Sequence, residues 1–504
     1  AAFDYLDALG VPFVKRDGLA DQFVTDGSKY ARACYTGPHT ANHIEQALVR
    51  RIRQTSIELV EDAMLVDLLL TSDGAQVAGA VILASNEIKA IRAKAIVLAT
   101  GGVGEAFEVN VYPPGMTGDG YAGALRAGAE LINMEFIQIG LSSVKTKLAC
   151  SGSMMRAIPR VINDQDEEFL ARYFPVGTPP GQVYSVLFAK GASWPVSLEE
   201  KSHIMDIAVF REMVAGRKVY LDYSRNPHGF DPSALDGKAT RWFKEAKGVD
   251  LTHVLNAPTP LARLKAINPQ SVAWLQARGI DMDAGDKVEI APAIQHFQGG
   301  VKIRTEGNTN LKGLYAAGEV AGGQHGANRP GGNALLDTQV FGKVAGSSAA
   351  SFAAATALPP TDVARLAAVQ TKISGMQTAR GLGAGAARKQ LQRLMSRAAS
   401  VVRTEKGLAD ALAELQRLRA EGISVDASGL ADALETRNLL DASEAILRAC
   451  LARKESRGPH LFFRDATDLT PLPRRDPEFQ HYTAIKRVGD ALRLEARKPL
   501  PLPS

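Results

Sequence analysis

The stretch "GLYAAGEVAGGQHGANRPGGNALLDTQVFG", residues 313–342, decides the fold of this chain. It begins with a short apolar strand that glycine stops, and Glu319 follows directly. A glycine-rich run with His325 and Arg329 comes next, and then a glycine turn that feeds a helix. A carboxylate at the carboxyl edge of a parallel sheet can accept hydrogen bonds from ribose or ribityl hydroxyls. The first N–H groups of a helix suit an anion or an anionic reduced ring. Together these features predict a cofactor-binding platform.

Other segments place this platform in a larger architecture. "AIRAKAIVLATGG" (90–102) ends in an apolar strand, and "IELVEDAMLVDLLL" (57–70) reads as a strand, a turn and a second strand. Short apolar strands bounded by glycine are typical of a buried, largely parallel sheet. Residues 141–290 are rich in Pro/Gly turns and have few regular periods, which predicts a separate inserted domain. From about residue 387, apolar residues recur at i, i+3, i+4 and i+7, which predicts a C-terminal helical bundle.

The composition excludes several classes of protein. The 504 residues are 45% hydrophobic and 22% charged, with a net charge of +5, as in an ordinary globular protein of several domains. The basic residues are spread out, so nucleic acid is not expected as a partner. Cys34, Cys150 and Cys450 lie far apart without metal-ligand spacing, so neither a metal site nor a disulfide framework is predicted. No membrane-spanning run or signal peptide is recognisable, and a cytoplasmic location is expected.

Several motifs follow one another in the order of a known family. They are "AKAIVLATGG", "TGDGYAGALRAGAELINMEF" (117–136), "HFQGGVKI" (296–303), the opening stretch and "TRNLLDASEAILRACLARKESRG" (436–458). On these residues the chain resembles the flavoprotein subunits of succinate dehydrogenase and fumarate reductase, with L-aspartate oxidase among their relatives. The resemblance implies an α/β fold with an FAD-binding Rossmann-like domain, an inserted α+β capping domain and a C-terminal helical bundle. It also implies FAD as the cofactor.

The expected domain boundaries combine the resemblance with the changes of composition. They are the first part of the FAD-binding domain at 1–140, the capping domain at 141–290, the second part of the FAD-binding domain at 291–355, the helical domain at 363–470 and an extended tail at 471–504. The family's strand-GxGxxG-helix opening is not found, so the FAD-binding domain is expected to be incomplete at its N-terminus. The segment "LARKESRG" (451–458) reads as a solvated helix end, with an interface as the alternative.

The resemblance also implies the chemistry and the residues that carry it. In the family, a hydride passes between N5 of FAD and a carbon beside a carboxylate, an arginine exchanges a proton, and His and Arg side chains clamp carboxylates. Arginine suits clamping because its planar fork meets a carboxylate bidentately. The implied catalytic residues are Arg156, His296 and Arg329. The implied cofactor contacts are Gly101, Gly102, Thr117, Gly118, Asp119, Glu319, Gly332, Asn333, Ala334 and Leu335. For His325, contact with flavin or substrate and packing in the turn both stay open.

Two departures from the family pattern concern the substrate. Gly140 stands where a substrate-binding histidine is expected. No arginine of this chain aligns with the family's proton-transfer arginine. Arg156 lies one position away from the expected place, and Arg160 is the second candidate.

Three functions are therefore considered. The first is an FAD-dependent oxidoreductase that acts on CH–CH or CH–NH groups of a small carboxylic acid, with electrons passed to an iron-sulfur subunit and a peripheral membrane position through that partner. The second is an L-aspartate-oxidase-like or other-acid oxidase of the same fold. The third is a non-catalytic or truncated homologue with only a binding role in a complex. His296, Arg329 and Glu319 favour the first, whereas Gly140 and the incomplete FAD-binding domain favour the third.

Overall fold

The computed structural model describes residues 1–23, 25, 30–37, 39–245, 250–378 and 380–500. The helices in these ranges are α1 (Ala2–Ala8), α2 (Thr40–Arg53), α3 (Asp119–Ala127), α4 (Ser153–Arg156), α5 (Pro180–Lys190), α6 (His203–Val214), α7 (Gly237–Glu245), α8 (Pro260–Ile267), α9 (Pro269–Gln276), α10 (Asn333–Ala355), α11 (Val363–Thr378), α12 (Ala384–Ala398), α13 (Glu405–Glu421) and α14 (Leu430–Ala452). The strands are β1 (Lys15–Arg16), β2 (Leu19–Ala20), β3 (Gln22–Phe23), β4 (Ala33–Cys34), β5 (Ala63–Leu70), β6 (Val77–Ala84), β7 (Glu87–Arg92), β8 (Ile96–Leu98), β9 (Leu131–Ile132), β10 (Ile137–Ser143), β11 (Arg160–Asn163), β12 (Val219–Asp222), β13 (Val288–Phe297), β14 (Gly300–Lys302), β15 (Leu314–Ala316), β16 (Ala321–Gly322), β17 (Leu382–Gly383), β18 (Arg403–Thr404), β19 (Ile423–Ser424), β20 (Phe462–Phe463), β21 (Tyr482–Val488) and β22 (Ala491–Arg497).

The two short apolar strands at 96–98 and 314–316 pair with each other. β8 and β15 are parallel, with Ile96 opposite Leu314 and Leu98 opposite Ala316. Because parallel strands end at the same edge, the glycines after β8 and the Gly-Glu pair after β15 lie side by side. The prediction of a largely parallel sheet holds only in part, because these two strands form a two-stranded parallel sheet whereas the larger sheets are mostly antiparallel. The parallel pair places Gly102 against Glu319.

A second hydrophobic core belongs to the segment predicted as the inserted domain. Its buried residues run from Leu141 to Ile290 and include side chains of α5, α6, α8 and α9. They pack with the antiparallel sheet of order β10-β13-β12-β11. β10 and β13 connect this sheet to the cofactor-binding platform, because β13 ends at Phe297, whose N–H donates to Glu319. The exact domain boundaries stay a prediction.

The C-terminal helices pack against the first domain through α14, which is buried along most of its length. Arg126 at the end of α3 connects the two. Its guanidinium contacts Asp67 at 3.2 Å and Asp441 at 2.7 Å, and it donates to Asn438 Oδ1 at 2.9 Å. The C-terminal domain therefore stabilises the position of α3, the helix that begins at the TGDG turn.

Two segments differ from the sequence prediction. β5 begins only at Ala63, and residues 57–61 form no strand because Ile57, Leu59 and Val60 are exposed and find no core to pack on. The segment predicted as an extended tail forms the hairpin of β21 and β22. The hairpin joins a five-stranded sheet by pairing Ile485 with Leu131, since the buried Ile485 side chain completes the main core.

Within the described ranges, every helix is too short or too polar to cross a lipid bilayer.

Candidate functional site

Antiparallel pairing of β10 and β13 positions the first predicted catalytic residue. His296 lies opposite Gln138 and is 5% exposed. The Gln138 amide donates to Asn328 Oδ1 at 3.1 Å and to the Arg329 carbonyl at 2.7 Å. The glycine-rich loop is thereby tied to the sheet, and Arg329 is held in a buried position, 8% exposed.

The glycine-rich loop also places His325 next to His296. The ring centroids of His296 and His325 are 5.4 Å apart. His325 Nε2 lies 3.8 Å from Asp337 Oδ2, and Gln324 donates to the same carboxylate oxygen at 3.3 Å. Asp337 lies in the first turns of α10, so the helix that follows the glycine turn places a carboxylate near His325, whose Nε2 has no hydrogen-bond partner among the described residues.

Burial sets the charge of these imidazoles. The pKa of His296 is well below its ordinary value, first because the ring is buried and then because Arg329 and His325 lie nearby. Burial, with Arg329 as the second cause, lowers the pKa of His325 to about 4. Burial raises the pKa of Asp337 to about 6. At neutral pH both histidines are therefore uncharged, and Arg329 supplies the positive charge of the group.

Carboxylate binding is expected to take up protons near pH 5. A bound anion favours the charged form of a neighbouring imidazole, so it raises the His325 pKa from about 4 and the ring protonates on binding. The uptake is measured by calorimetric titration in two buffers of different ionisation enthalpy. His325→Asn should reduce it and leave the contribution of Asp337, whose pKa is about 6, and equal heats in both buffers for the wild-type protein would contradict the prediction.

Glu319 lies at the end of the parallel strand pair. The Tyr112 hydroxyl and the Phe297 N–H, the latter at 2.9 Å, both donate to its Oε1, and the Tyr121 hydroxyl donates to its backbone carbonyl at 2.7 Å. The described residues supply no hydrogen bond to Oε2. A Cβ at Gly102 would overlap Oε1, which explains the glycine there. Burial raises the pKa of Glu319 to about 7, against the opposing effect of its hydrogen bonds.

This shift has a consequence for stability in the flavin-free protein. A carboxyl that holds its proton more tightly when folded stabilises the fold below pH 4.5, and this contribution is lost as the pH rises to about 7. Glu319→Gln should gain about 3 kcal/mol in free energy of unfolding relative to wild type between pH 4.5 and 8. Urea unfolding across this range checks it, and parallel pH profiles would argue against it.

The TGDG turn faces the C-terminal domain. Thr117 Oγ1 and Asn438 Nδ2 donate to Asp119 Oδ1 at 3.0 and 2.8 Å. Gly118 has a left-handed φ of 76° and packs closely against Val103. These contacts hold the start of α3 in place, and the predicted cofactor contacts of Thr117, Gly118 and Asp119 stay predictions.

The start of α10 is open to a ligand. Gly332 has a left-handed φ of 79° and precedes Asn333. Arg32 donates to Asn333 Oδ1 and to the Gly331 carbonyl, both at 2.7 Å, and so holds the turn. Neither Ala334 nor Leu335 makes a backbone N–H hydrogen bond to the turn before it in the described part of the chain. The Leu335 side chain packs on a small N-terminal core, so the N–H is the group that this residue can offer a cofactor.

The two arginines considered for proton transfer lie in the capping segment. The Arg156 guanidinium stacks over Trp242 at 4.6 Å from the ring centroid. Arg160 is 4% exposed and contacts Asp222 at 2.6 Å and Glu168 at 2.8 Å, as expected of a structural ion pair. The catalytic role of Arg156 stays a prediction.

Buried polar atoms without a hydrogen-bond partner among the described residues surround the site. They are His296 Nδ1, Gln138 Oε1, Gln295 Oε1, both amide atoms of Gln298, Gln324 Oε1 and Asp337 Oδ1. Such atoms are costly in a folded protein unless a ligand or water satisfies them. Their concentration here indicates that a polar ligand belongs in this site.

Family models cover most of the chain. The FAD binding domain model matches residues 1–335, and the fumarate reductase flavoprotein C-terminal model matches residues 388–500. The chain belongs to the succinate dehydrogenase and fumarate reductase flavoprotein family. This flavoprotein is 29% identical to one subunit of the fumarate reductase (CoM/CoB) of Methanothermobacter marburgensis, over 96% of this chain and 80% of that protein. It is 30% identical to L-aspartate oxidase of Streptomyces coelicolor, over 84% of this chain and 67% of that protein.

A solved structure agrees with the fold. The Sdh1 chain of Mycobacterium smegmatis, in complex with UQ1, superimposes with a TM-score of 0.74 at 26% identity, covering 100% of this chain and 80% of that one. The predicted fold class is confirmed. The flavoprotein is an FAD-dependent oxidoreductase of the fumarate reductase, succinate dehydrogenase and aspartate oxidase type.

The residues present fit FAD. Glu319 Oε2 can accept from a cofactor hydroxyl, the N–H groups of Ala334 and Leu335 point out of the helix start, and the unpaired polar atoms of Gln298 and Gln324 suit a polar ring. When bound, FAD supplies the hydride acceptor or donor. The individual residue contacts stay predictions.

Sequence reasoning missed four residues of this site: Gln138, Tyr112, Asp337 and Trp194, the last of which lines the same cavity as Arg329. Gln138 follows the MEF motif and could have been found there. Tyr112 and Trp194 stand in segments without any motif, so only the fold reveals them.

Proposed function

We propose that this flavoprotein transfers a hydride between flavin N5 and a carbon beside the carboxylate of a small carboxylic acid, as in succinate and fumarate chemistry. The buried Arg329 beside two uncharged histidines carries the proposal. A guanidinium in such surroundings binds a carboxylate strongly, because charge-assisted bidentate hydrogen bonds gain strength where water is excluded.

The surrounding residues have complementary tasks. Arg329 would hold the substrate carboxylate, and His296, with Nδ1 unpaired, would exchange a hydrogen bond with the substrate without adding charge. Asp337 would pair with His325 when that ring is protonated. Because these side chains are largely buried, water would be kept from the reacting carbon.

An electron-transfer partner is part of the proposal. The related protein of Methanothermobacter marburgensis is named as one component of a larger reductase, which favours a complex for this chain as well. We expect an iron-sulfur subunit in this role, and a peripheral membrane position only through such a partner. Reoxidation by oxygen, as in an acid oxidase, is the competing mode.

Anaerobic flavin spectroscopy tests the proposal. The FAD-loaded protein is reduced with dithionite and mixed with fumarate, crotonate or cinnamate, while the oxidised protein is mixed with succinate or L-aspartate. A change in flavin absorbance with one of these acids, lost in Arg329→Met, supports the proposal. Reaction with L-aspartate alone would favour the oxidase, and FAD binding without any reaction would favour the non-catalytic homologue.

A further inference from the structure

Gly140 lies so close to Trp194 that a larger residue at position 140 would clash with the indole. A Cβ at Gly140 would lie 2.5 Å from Trp194 Cε2 and 2.7 Å from Nε1, closer than real Cβ contacts come. Gly140 lies within the extended strand β10, so its lack of a side chain answers a need for space and not for an unusual φ. The indole therefore occupies the room that a side chain at position 140 would need.

Trp194 is held rigidly in this room. Its Nε1 donates to the Leu141 carbonyl at 2.6 Å, and the side chain is 5% exposed. Its own carbonyl accepts from Lys190 Nζ at 2.6 Å, and Lys190 forms a fully buried ion pair with Asp206, also at 2.6 Å. The indole is a fixed wall and not a mobile gate.

This wall belongs to the cavity that Arg329 enters. The cavity has a volume of about 450 Å³, and Gln138, Trp194, Gln295 and Arg329 line it. The apolar residues Trp194, Pro195 and Ala327 are among those that line it. Arg329 and Trp194 thus line the same cavity.

The other charges that line the cavity do not favour a second carboxylate at the indole. Arg457 is bound to Glu455 and to Asp476, at 2.6 Å each, and Arg474 is bound to Asp476 at 2.7 Å. Glu199 and Glu200 also line the cavity and would repel an anion. A carboxylate placed against Trp194 would lose its hydration without gaining a cation, which is unfavourable.

We infer that the substrate carries one carboxylate, bound at Arg329, and a planar apolar group at its other end that packs on Trp194. This inference rests on the proposed function and narrows its substrate class to alkenoic or arylalkenoic monocarboxylic acids. Aromatic groups stack favourably on an indole, and the cavity leaves space for a ring.

Ligand binding to a single-tryptophan protein tests the inference. The chain has three tryptophans, and Trp242→Phe with Trp274→Phe leaves Trp194 as the only indole. The flavin-loaded protein is titrated with trans-cinnamate and with fumarate while Trp194 emission is followed. Cinnamate should change the emission and bind at least 10-fold more tightly than fumarate. Fumarate binding as tightly as cinnamate, or more tightly, would overturn the inference.

A second experiment exchanges the wall. Gly140→His together with Trp194→Ala removes the indole and supplies an imidazole, and it should shift the cinnamate-to-fumarate preference at least 10-fold towards fumarate. Trp274→Ala is the control, since Trp274 stacks on Arg278 outside the cavity and should leave the preference unchanged. An unchanged preference in the double variant would refute the role of Trp194.

If neither acid binds to the FAD-loaded wild-type protein, the proposed function fails as well. If both acids bind and fumarate is preferred, only the substrate class fails.

Discussion

Replacing Arg329 by methionine is expected to lower kcat/KM for the substrate carboxylic acid by roughly 30- to 5,000-fold. Removing one partner of a buried hydrogen-bonded charge pair costs about 2–5 kcal/mol, which converts to this range. The neutral histidines cannot compensate, because the pKa of His296 is well below its ordinary value and that of His325 is about 4. Arg329→Lys should recover part of the loss, since it keeps the charge but not the bidentate fork.

Steady-state kinetics with the acid identified by flavin spectroscopy checks this prediction. The flavin spectrum of each variant should match the wild-type spectrum, so that a loss of activity is not a loss of FAD. Arg278→Met serves as the control, because this arginine stacks on Trp274 and lies outside the cavity lining. Unchanged turnover of every acid in Arg329→Met would remove Arg329 from the site.

The second large effect is expected in stability. Arg453 and its partners Glu135 and Glu455 are fully buried, with ion-pair distances of 2.8 and 3.1 Å. Arg453 also donates to the carbonyls of Phe479 and His481. Arg453→Met leaves the buried Glu135 carboxylate without its cation, whereas Glu455 keeps its pair with Arg457, and the change should lower the free energy of unfolding by about 3–5 kcal/mol.

Urea unfolding of the flavin-loaded protein measures this loss. Arg448→Met is the matched control, because Arg448 is partly exposed and its pair with Glu444 on α14 is worth less than about 1 kcal/mol. Equal unfolding midpoints for the two variants would show that the buried pair does not hold the domains together.

The same residues show where sequence reasoning ended. "LARKESRG" reads as a solvated helix end, since four charges in eight residues are usually exposed. The structure instead buries Arg453 and Glu455 against the MEF segment and the residues that lead into the C-terminal hairpin, so the alternative of an interface is the better description. Their partners Glu135 and Phe479 lie in other segments of the chain, and no local pattern of residues predicts such a contact.

Local patterns predicted well where one segment forms the feature alone. The apolar runs at 96–98 and 314–316 are strands that pair in parallel, and Leu98 and residues 314–316 are buried, although Val97 is exposed. The run at 57–60 has a similar composition but stays exposed, since no neighbour covers it. Hydrophobicity alone does not distinguish the two cases.

The sequence by itself determined the family, the FAD cofactor and the strand-Gly-Glu platform, and it identified His296 and Arg329 as candidate site residues. These follow from short motifs whose residues act within a few positions of one another. Only the tertiary structure decided the charge states of the histidines, the Tyr112 contact of Glu319 and the indole wall at Gly140. Each depends on burial or on contact between distant segments, as with Tyr112 and Glu319, which are 207 residues apart. Burial and packing are properties of the folded chain, and they set the pKa values and the shape of this site.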